Sequence, residues 1–267
     1  MSLILNPTRS RTEIAYGIKY ETTTFSTGVT CTIPTDETSR VTELASLIVE
    51  GCARSPMEYE DFRDAGIKIL HLKQTLEEAG KIKRSNVYES PDGFIIKDPI
   101  DDGQGFMQFF YMNALSRALN DISGDVNAVG SHALIRSQNG RTYTIFDKAP
   151  GRRMRDVIYE WRQIHKEDSR DKKHEIDDIV AERISEALKK MRPEFIAKKL
   201  TNDHPAHKYR YNSGSGNVFI DVDTSHLTQE TVQAAPIWLI DQAHPTIVSR
   251  QIHKIARHFP IRSTNKP

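Results

Sequence analysis

The sequence predicts an α+β protein of two lobes, a small β-rich lobe followed by a helical one. Three observations carry that prediction. Between residues 67 and 146, short strand-like runs surround one long apolar helix, and two of their connections are tight-turn signatures, Pro91-Asp92-Gly93 and Asn139-Gly140. Beyond Pro150-Gly151 the texture becomes helical and highly charged. Late in the chain two apolar strand-like runs, Val218 to Asp221 and Pro236 to Ile240, flank a polar excursion.

Composition narrows the classes. The 267 residues carry 37 basic and 36 acidic side chains, a net charge of +1. No global field therefore argues for nucleic acid or an anionic membrane. No run approaches the ~18–20 apolar residues of a membrane span. The first residues, MSLIL, form too short an apolar run for a cleaved signal peptide. Two cysteines, Cys31 and Cys52, are too few for a disulfide scaffold, so reduced thiols are expected.

Residues 1–35 are rich in Thr and Ser and show no helical period. Thr22 to Ile33 alternates loosely, as a strand or an extended arm. The polar leader has the composition of an uncleaved secretion signal, a weak signal by itself, and a flexible terminus is the favoured reading of these residues alone. Residues 36–54 read as a helix capped by Thr35 or Asp36, with Val41, Leu44, Ala45, Ile48 and Val49 on one face. A turn-rich link, Ala53 to Asp64, closes an N-terminal extension (1–66).

The main domain (67–267) starts with strands. Ile67 to Leu72 and Gly80 to Ser90 come first, and then Phe94 to Lys97 follows the Asp-Gly turn. Lys97 ends a strand behind two isoleucines, where a lysine suits a phosphate as a point charge, although a water-facing edge lysine is the commoner case. Residues 104–120 form a helix apolar on more than one face, through Phe106, Phe109, Phe110, Met112, Leu115 and Leu119. Ala133 to Arg136 and Arg141 to Phe146 make a second hairpin. Helices then run through Trp161 and from His174 to Met191, with a charged loop at 168–173 between them. Pro193 breaks the second helix.

The stretch Tyr209 to Asp241 brings an Asn to the mouth of one strand and an Asp to the end of the next. An amide oxygen and a carboxylate together suit a hard cation holding phosphates; as bland turn residues the same pair needs no ligand. The histidines match no zinc spacing, and Ser213 and Ser215 sit in no nucleophile elbow, because a strand follows them.

The order of these parts resembles the protein-kinase fold. Gly80-Lys-Ile-Lys-Arg-Ser85-Asn-Val87 resembles the phosphate-covering loop, and Phe94-Ile-Ile-Lys97 the strand with the nucleotide lysine. Tyr143 to Gly151 resembles the hinge, Asn212-Ser-Gly-Ser-Gly-Asn217 the catalytic loop, and Trp238-Leu-Ile-Asp241 the strand ending in the metal Asp. The nearest likeness is to the small kinases that bacteria inject into host cells, of the OspG and NleH type, with a reduced C-terminal part. The resemblance spans residues 67–250 and implies lobes at 67–148 and 149–267. It implies ATP and Mg2+ as cofactors, with Lys97 on the α/β-phosphates and Asn217 and Asp241 on the metal. Gly80, Ser85 and Val87 would cover the nucleotide, and Phe146, Asp147 and Ala149 would meet the adenine. It also implies a type III secreted virulence protein acting in the host cytoplasm on a host protein, Ser/Thr favoured, with a secretion chaperone as a further partner.

The departures from the family matter. Only the first loop glycine is present. The helix that should carry a Glu for Lys97 has none, which leaves Gln104, Gln108, Asp101 or Asp102 as substitutes. The catalytic Asp position holds Asn212, and an amide cannot serve as a carboxylate base. General-base assistance is worth about 10²–10⁴-fold. Two functions therefore stand: a slow kinase-like phosphotransferase, or a pseudokinase acting as a binding module.

Overall fold

A computed structural model describes residues 6–15, 17–36, 41–55, 57–74, 84–98, 102–120, 124–165, 170–190 and 218–240. Its centre is an eight-stranded antiparallel sheet. The strands are β1 (Pro7–Ala15), β2 (Ile18–Phe25), β3 (Thr30–Pro34), β4 (Lys68–Gln74), β5 (Arg84–Glu89), β6 (Ile95–Asp98), β8 (Ser131–Arg136) and β9 (Thr142–Phe146), in spatial order β1-β2-β3-β8-β9-β6-β5-β4. A second sheet, in order β10-β11-β12-β7, joins β7 (Val126–Ala128), β10 (Arg152–Arg153), β11 (Val218–Ile220) and β12 (Ile237–Leu239). The helices are α1 (Thr42–Arg54), α2 (Tyr59–Asp64), α3 (Asp102–Asn120), α4 (Met154–His165), α5 (Arg170–Lys190) and α6 (Gln229–Ala234).

Strand alternation splits the large sheet into two faces. Tyr88, Ile96, Ala133, Ile135, Tyr143 and Ile145 point to one face, where they pack on Ile48 and Val49 of α1 and Phe62 of α2. Phe62 stacks on Tyr88 with centroids 4.1 Å apart, and the Tyr143 hydroxyl donates to the Met57 carbonyl at 3.0 Å. Leu134 points to the other face, where it packs with Tyr20 and with Phe109 and Phe110 of α3. β8 and β9 are therefore covered on both sides, which is why they read as continuous apolar runs. Helix α3 is pinned across the sheet by two short bonds: Asn113 Nδ2 donates to the Ser131 carbonyl at 2.7 Å, and Ser131 Oγ donates to the Phe109 carbonyl at 2.6 Å.

The described residues of the stretch 1–66, expected as an extension, enter the same architecture. β3 pairs with β8 (Cys31 opposite Ile135), so β1 to β3 lengthen the sheet of residues 68–146. The turn-rich link contains α2, capped by Glu58, whose N–H donates to Asp61 Oδ2 at 2.8 Å. Helix α1 begins at Thr42 rather than at 36, with no side-chain cap. Asp36 instead accepts two bonds from Arg117 of α3, at 2.5 and 2.8 Å. The charge cluster expected as a loop at 168–173 falls partly inside α5, which starts at Arg170. Both cysteines are free and buried. No helix among the described residues is long and apolar enough to cross a membrane.

A third core lies against α3, through Met112, Leu115 and Leu119. It gathers Met154, Val157, Ile158 and Trp161 of α4, Ile176, Val180 and Ile184 of α5, and Val218, Ile220, Ile237 and Leu239 of the small sheet. Phe146 and Ala149, at the exit of β9, belong to this cluster rather than to the cores above it.

Candidate functional site

Register assembles the centre of the site. Val87 on β5 lies opposite Lys97 on β6, Lys97 lies opposite Thr144 on β9, and Thr144 lies opposite Leu134 on β8. Directly opposed residues share a face. These four side chains thus form one row across four strands, on the face that α3 covers. Phe146 is two residues beyond Thr144 and shares that face, pointing into the lower core. The structure therefore brings Val87, Lys97 and Phe146 to one side of the sheet, with Ala149 buried just below.

The connection out of β9 is held close. The Asp147 N–H donates to the Gly130 carbonyl at 3.0 Å. Asp147 Oδ1 lies 2.8 Å from Nε2 of the buried His132, a pairing with no sequence signal because 15 residues separate the two. Gly151 then turns with φ +76°, and a Cβ there would sit 2.5 Å from the Ile220 carbonyl oxygen. Only glycine permits both this conformation and this approach. The turn lets Arg152 pair with Ile220, so the exit from the large sheet lies directly on β11.

β11 and β12 pair antiparallel, with Val218 opposite Leu239. The chain thus comes into β11 and leaves β12 at the same end of the pair. All four outer positions, Val218, Ile220, Ile237 and Leu239, are buried, which anchors the pair in the lower core. The Leu239 carbonyl accepts the Val129 N–H at 3.0 Å, tying β12 to the segment that leads into β8.

Electrostatics concentrate on the opposite face of the sheet. Asp98 is only 2% exposed and accepts a two-pronged contact from Arg141, at 3.1 Å from Nε and 2.6 Å from Nη2. Arg141 Nη1 reaches Glu58 at 2.6 Å, and Asn86 Nδ2 reaches Asp98 at 3.4 Å. Burial pushes the Asp98 carboxyl above its usual range, and the Arg141 bonds pull it back only in part. Burial also works against the Arg141 charge, yet Asp98 and Glu58 hold its proton more tightly than usual. Arg141 offers only donors, so both Asp98 oxygens act as acceptors. Sequence reading missed this triad because 43 residues separate Asp98 from Arg141.

Of the remaining expected site residues, Gln108 is buried in α3. Ser85 lies on β5 opposite Lys73. Gly80, Asp101, Asn212, Asn217 and Asp241 fall outside the described residues, as do the side chains of Asp102 and Gln104. Among the described residues no group of three or more His, Cys, Asp or Glu side chains could hold a metal ion. No protein-family model matches the chain, and neither a curated protein nor a solved structure matches it.

Proposed function

We propose that the chain is an ATP- and Mg2+-dependent phosphotransferase of protein-kinase type. The observation that supports this reading best is the row Val87–Lys97–Thr144, contributed by a hairpin, the next strand and the strand that leads to the connection between sheets. A covering hairpin, a phosphate lysine and a hinge can meet one nucleotide only if their strands are neighbours in this way. The β11–β12 pair adds support, because Val218 and Leu239 stand opposite each other, and within two residues in sequence Asn217 precedes the first and Asp241 follows the second.

In this reading Lys97 neutralises the α/β-phosphates, Val87 covers the nucleotide, and backbone groups of the Phe146–Ala149 segment meet the adenine. The amide oxygen of Asn217 and the carboxylate of Asp241 are a donor set suited to Mg2+, which would offset phosphate charge. The substrate is a host protein hydroxyl, Ser/Thr favoured, and delivery into a host cell rests on the family resemblance alone. Asn212 favours a second reading, a pseudokinase that takes up nucleotide without efficient transfer.

Incubation with γ-labelled ATP, Mg2+ and host-cell protein tests the two, beside Asn212→Asp. Label transfer that rises in Asn212→Asp and disappears in Lys97→Met supports the enzyme. Silence in both, with intact stabilisation by Mg-ATP, supports the binding module. Absence of any nucleotide effect overturns both.

A further inference from the structure

We propose that Glu58, through Arg141 and Asp98, is a positioning residue for Lys97, so that the α1–α2 unit sets the grip on the nucleotide's phosphates from the far side of the sheet. The inference rests on the phosphotransferase reading and adds a control point to it.

The geometry is short and continuous. Lys97 and Asp98 are consecutive in a strand of four residues, and strand alternation sends them to opposite faces. Any rotation of β6 about its axis that moves the Asp98 carboxylate therefore moves the Lys97 stem the opposite way. Asp98 is gripped from both neighbouring strands. Asn86 reaches it from β5 at 3.4 Å, and Arg141, next to the start of β9, reaches it at 2.6 and 3.1 Å. A two-pronged guanidinium–carboxylate contact fixes orientation as well as distance.

The third nitrogen of the same guanidinium leaves the strands. Arg141 Nη1 meets Glu58 at 2.6 Å. Glu58 is the N-cap of α2, locked there by its reciprocal bonds with Asp61. The carbonyl of the preceding residue, Met57, receives the Tyr143 hydroxyl at 3.0 Å. Two bonds thus tie the start of α2 to β9, and one of them passes through Arg141 to β6.

An ion pair with a buried carboxylate, such as Asp98 with Arg141, is poor as a source of stability, because the desolvation cost offsets the attraction. Its fixed geometry beside Lys97 instead orients β6. Glu58 is the one member of the triad that is largely solvent-exposed, with its side chain 60% accessible. A partner or modification at α2 can therefore reach it without unfolding the core.

The test uses the full chain carrying Glu58→Gln, with Asp92→Asn in the exposed Pro91–Gly93 turn as control. ATP with Mg2+ and adenosine are each titrated by calorimetry. The expected result is a loss of ATP affinity on the order of fivefold, with adenosine affinity and melting temperature unchanged, because adenosine lacks the phosphates that Lys97 holds. Glu58→Asp should restore part of the loss, and Asp92→Asn should behave as wild type. Equal losses for ATP and adenosine would show a merely structural role, and unchanged ATP affinity would show none; either overturns the proposal while leaving the phosphotransferase reading standing. A wild-type chain that takes up no ATP overturns that reading and this inference together.

Discussion

Arg183→Met is the sharpest structural prediction. Arg183 lies on α5, is 7% exposed, and donates from Nη1 to the carbonyls of Val232 and Ala235 at 2.7 and 2.8 Å. The reason is legible in the chain. In a continuing helix the Val232 carbonyl would receive the N–H of residue 236, but residue 236 is proline and has none. Arg183 supplies the missing donor, closes the end of α6 and so sets the start of β12. Bonds from a charged donor contribute about 1.5–3 kcal/mol each. Burial works against the Arg183 charge and lowers its pKa, which discounts the sum. Methionine fills the volume but leaves two carbonyls short, so a loss of about 2–4 kcal/mol is expected. Equilibrium urea unfolding should show a lower midpoint at unchanged slope. Arg183→Lys, with the charge kept but the fork lost, should fall between. A midpoint within error of wild type would refute the role given to Arg183.

Three further outcomes follow from the same geometry. Arg141→Met strands the buried Asp98 carboxylate and should cost about 2–4 kcal/mol in urea unfolding, whereas Arg141→Met with Asp98→Leu should recover most of it; equal costs would contradict the coupling. Gly151→Ala forces a side chain into a positive φ and against the Ile220 carbonyl, and should lose roughly 2 kcal/mol or more by thermal unfolding. Burial pushes the thiols of Cys31 and Cys52 up to about 12. A thiol pKa raised by folding means the native state holds its proton as pH rises, so neither cysteine should alkylate appreciably at pH 8 until urea unfolds the chain.

How much of this was legible depended on burial. The runs around Phe94–Lys97, Ala133–Arg136 and Arg141–Phe146 read correctly as strands because β-branched and aromatic residues sit between Asp-Gly and Asn-Gly turns. The helix over Phe106–Leu119 was visible from its apolar surface, and the pairing of the Val218 and Ile237 strands from their apolar runs. The first strand was not legible. Most of β1 is exposed, so Pro7 to Ala15 offers no apolar alternation to read. Its Thr-rich partner β2 alternates only partly for the same reason. Helix α2 hid because its capping box uses Glu58 and Asp61 instead of the usual hydroxyl–carboxylate pair. β7 spans only three residues and is defined by its parallel partner β12, more than 100 positions away.

Around the candidate site, the pairing of the strands that carry Val87 and Lys97 could be read from order, because neighbouring strands joined by a tight turn pair. What surrounds them could not. The contacts of Asp98 with Arg141, of His132 with Asp147 and of Arg183 with α6 join residues 15 to 52 positions apart. No periodicity records such pairs; the first two emerge when strands β8, β9 and β6 pair in register, and the third when α5 meets α6. Sequence order alone also could not show that residues 7–34 lengthen the sheet, since that depends on the pairing of Cys31 with Ile135.

The central proposal is that Val87 and Lys97, side by side on one face of the sheet, meet a nucleotide. Calorimetric titration of the full chain with ATP, with and without Mg2+, tests it most directly. The account predicts saturable one-to-one binding that weakens without Mg2+ and weakens again in Lys97→Met. Binding indifferent to both, or no heat at any ATP concentration, would contradict it.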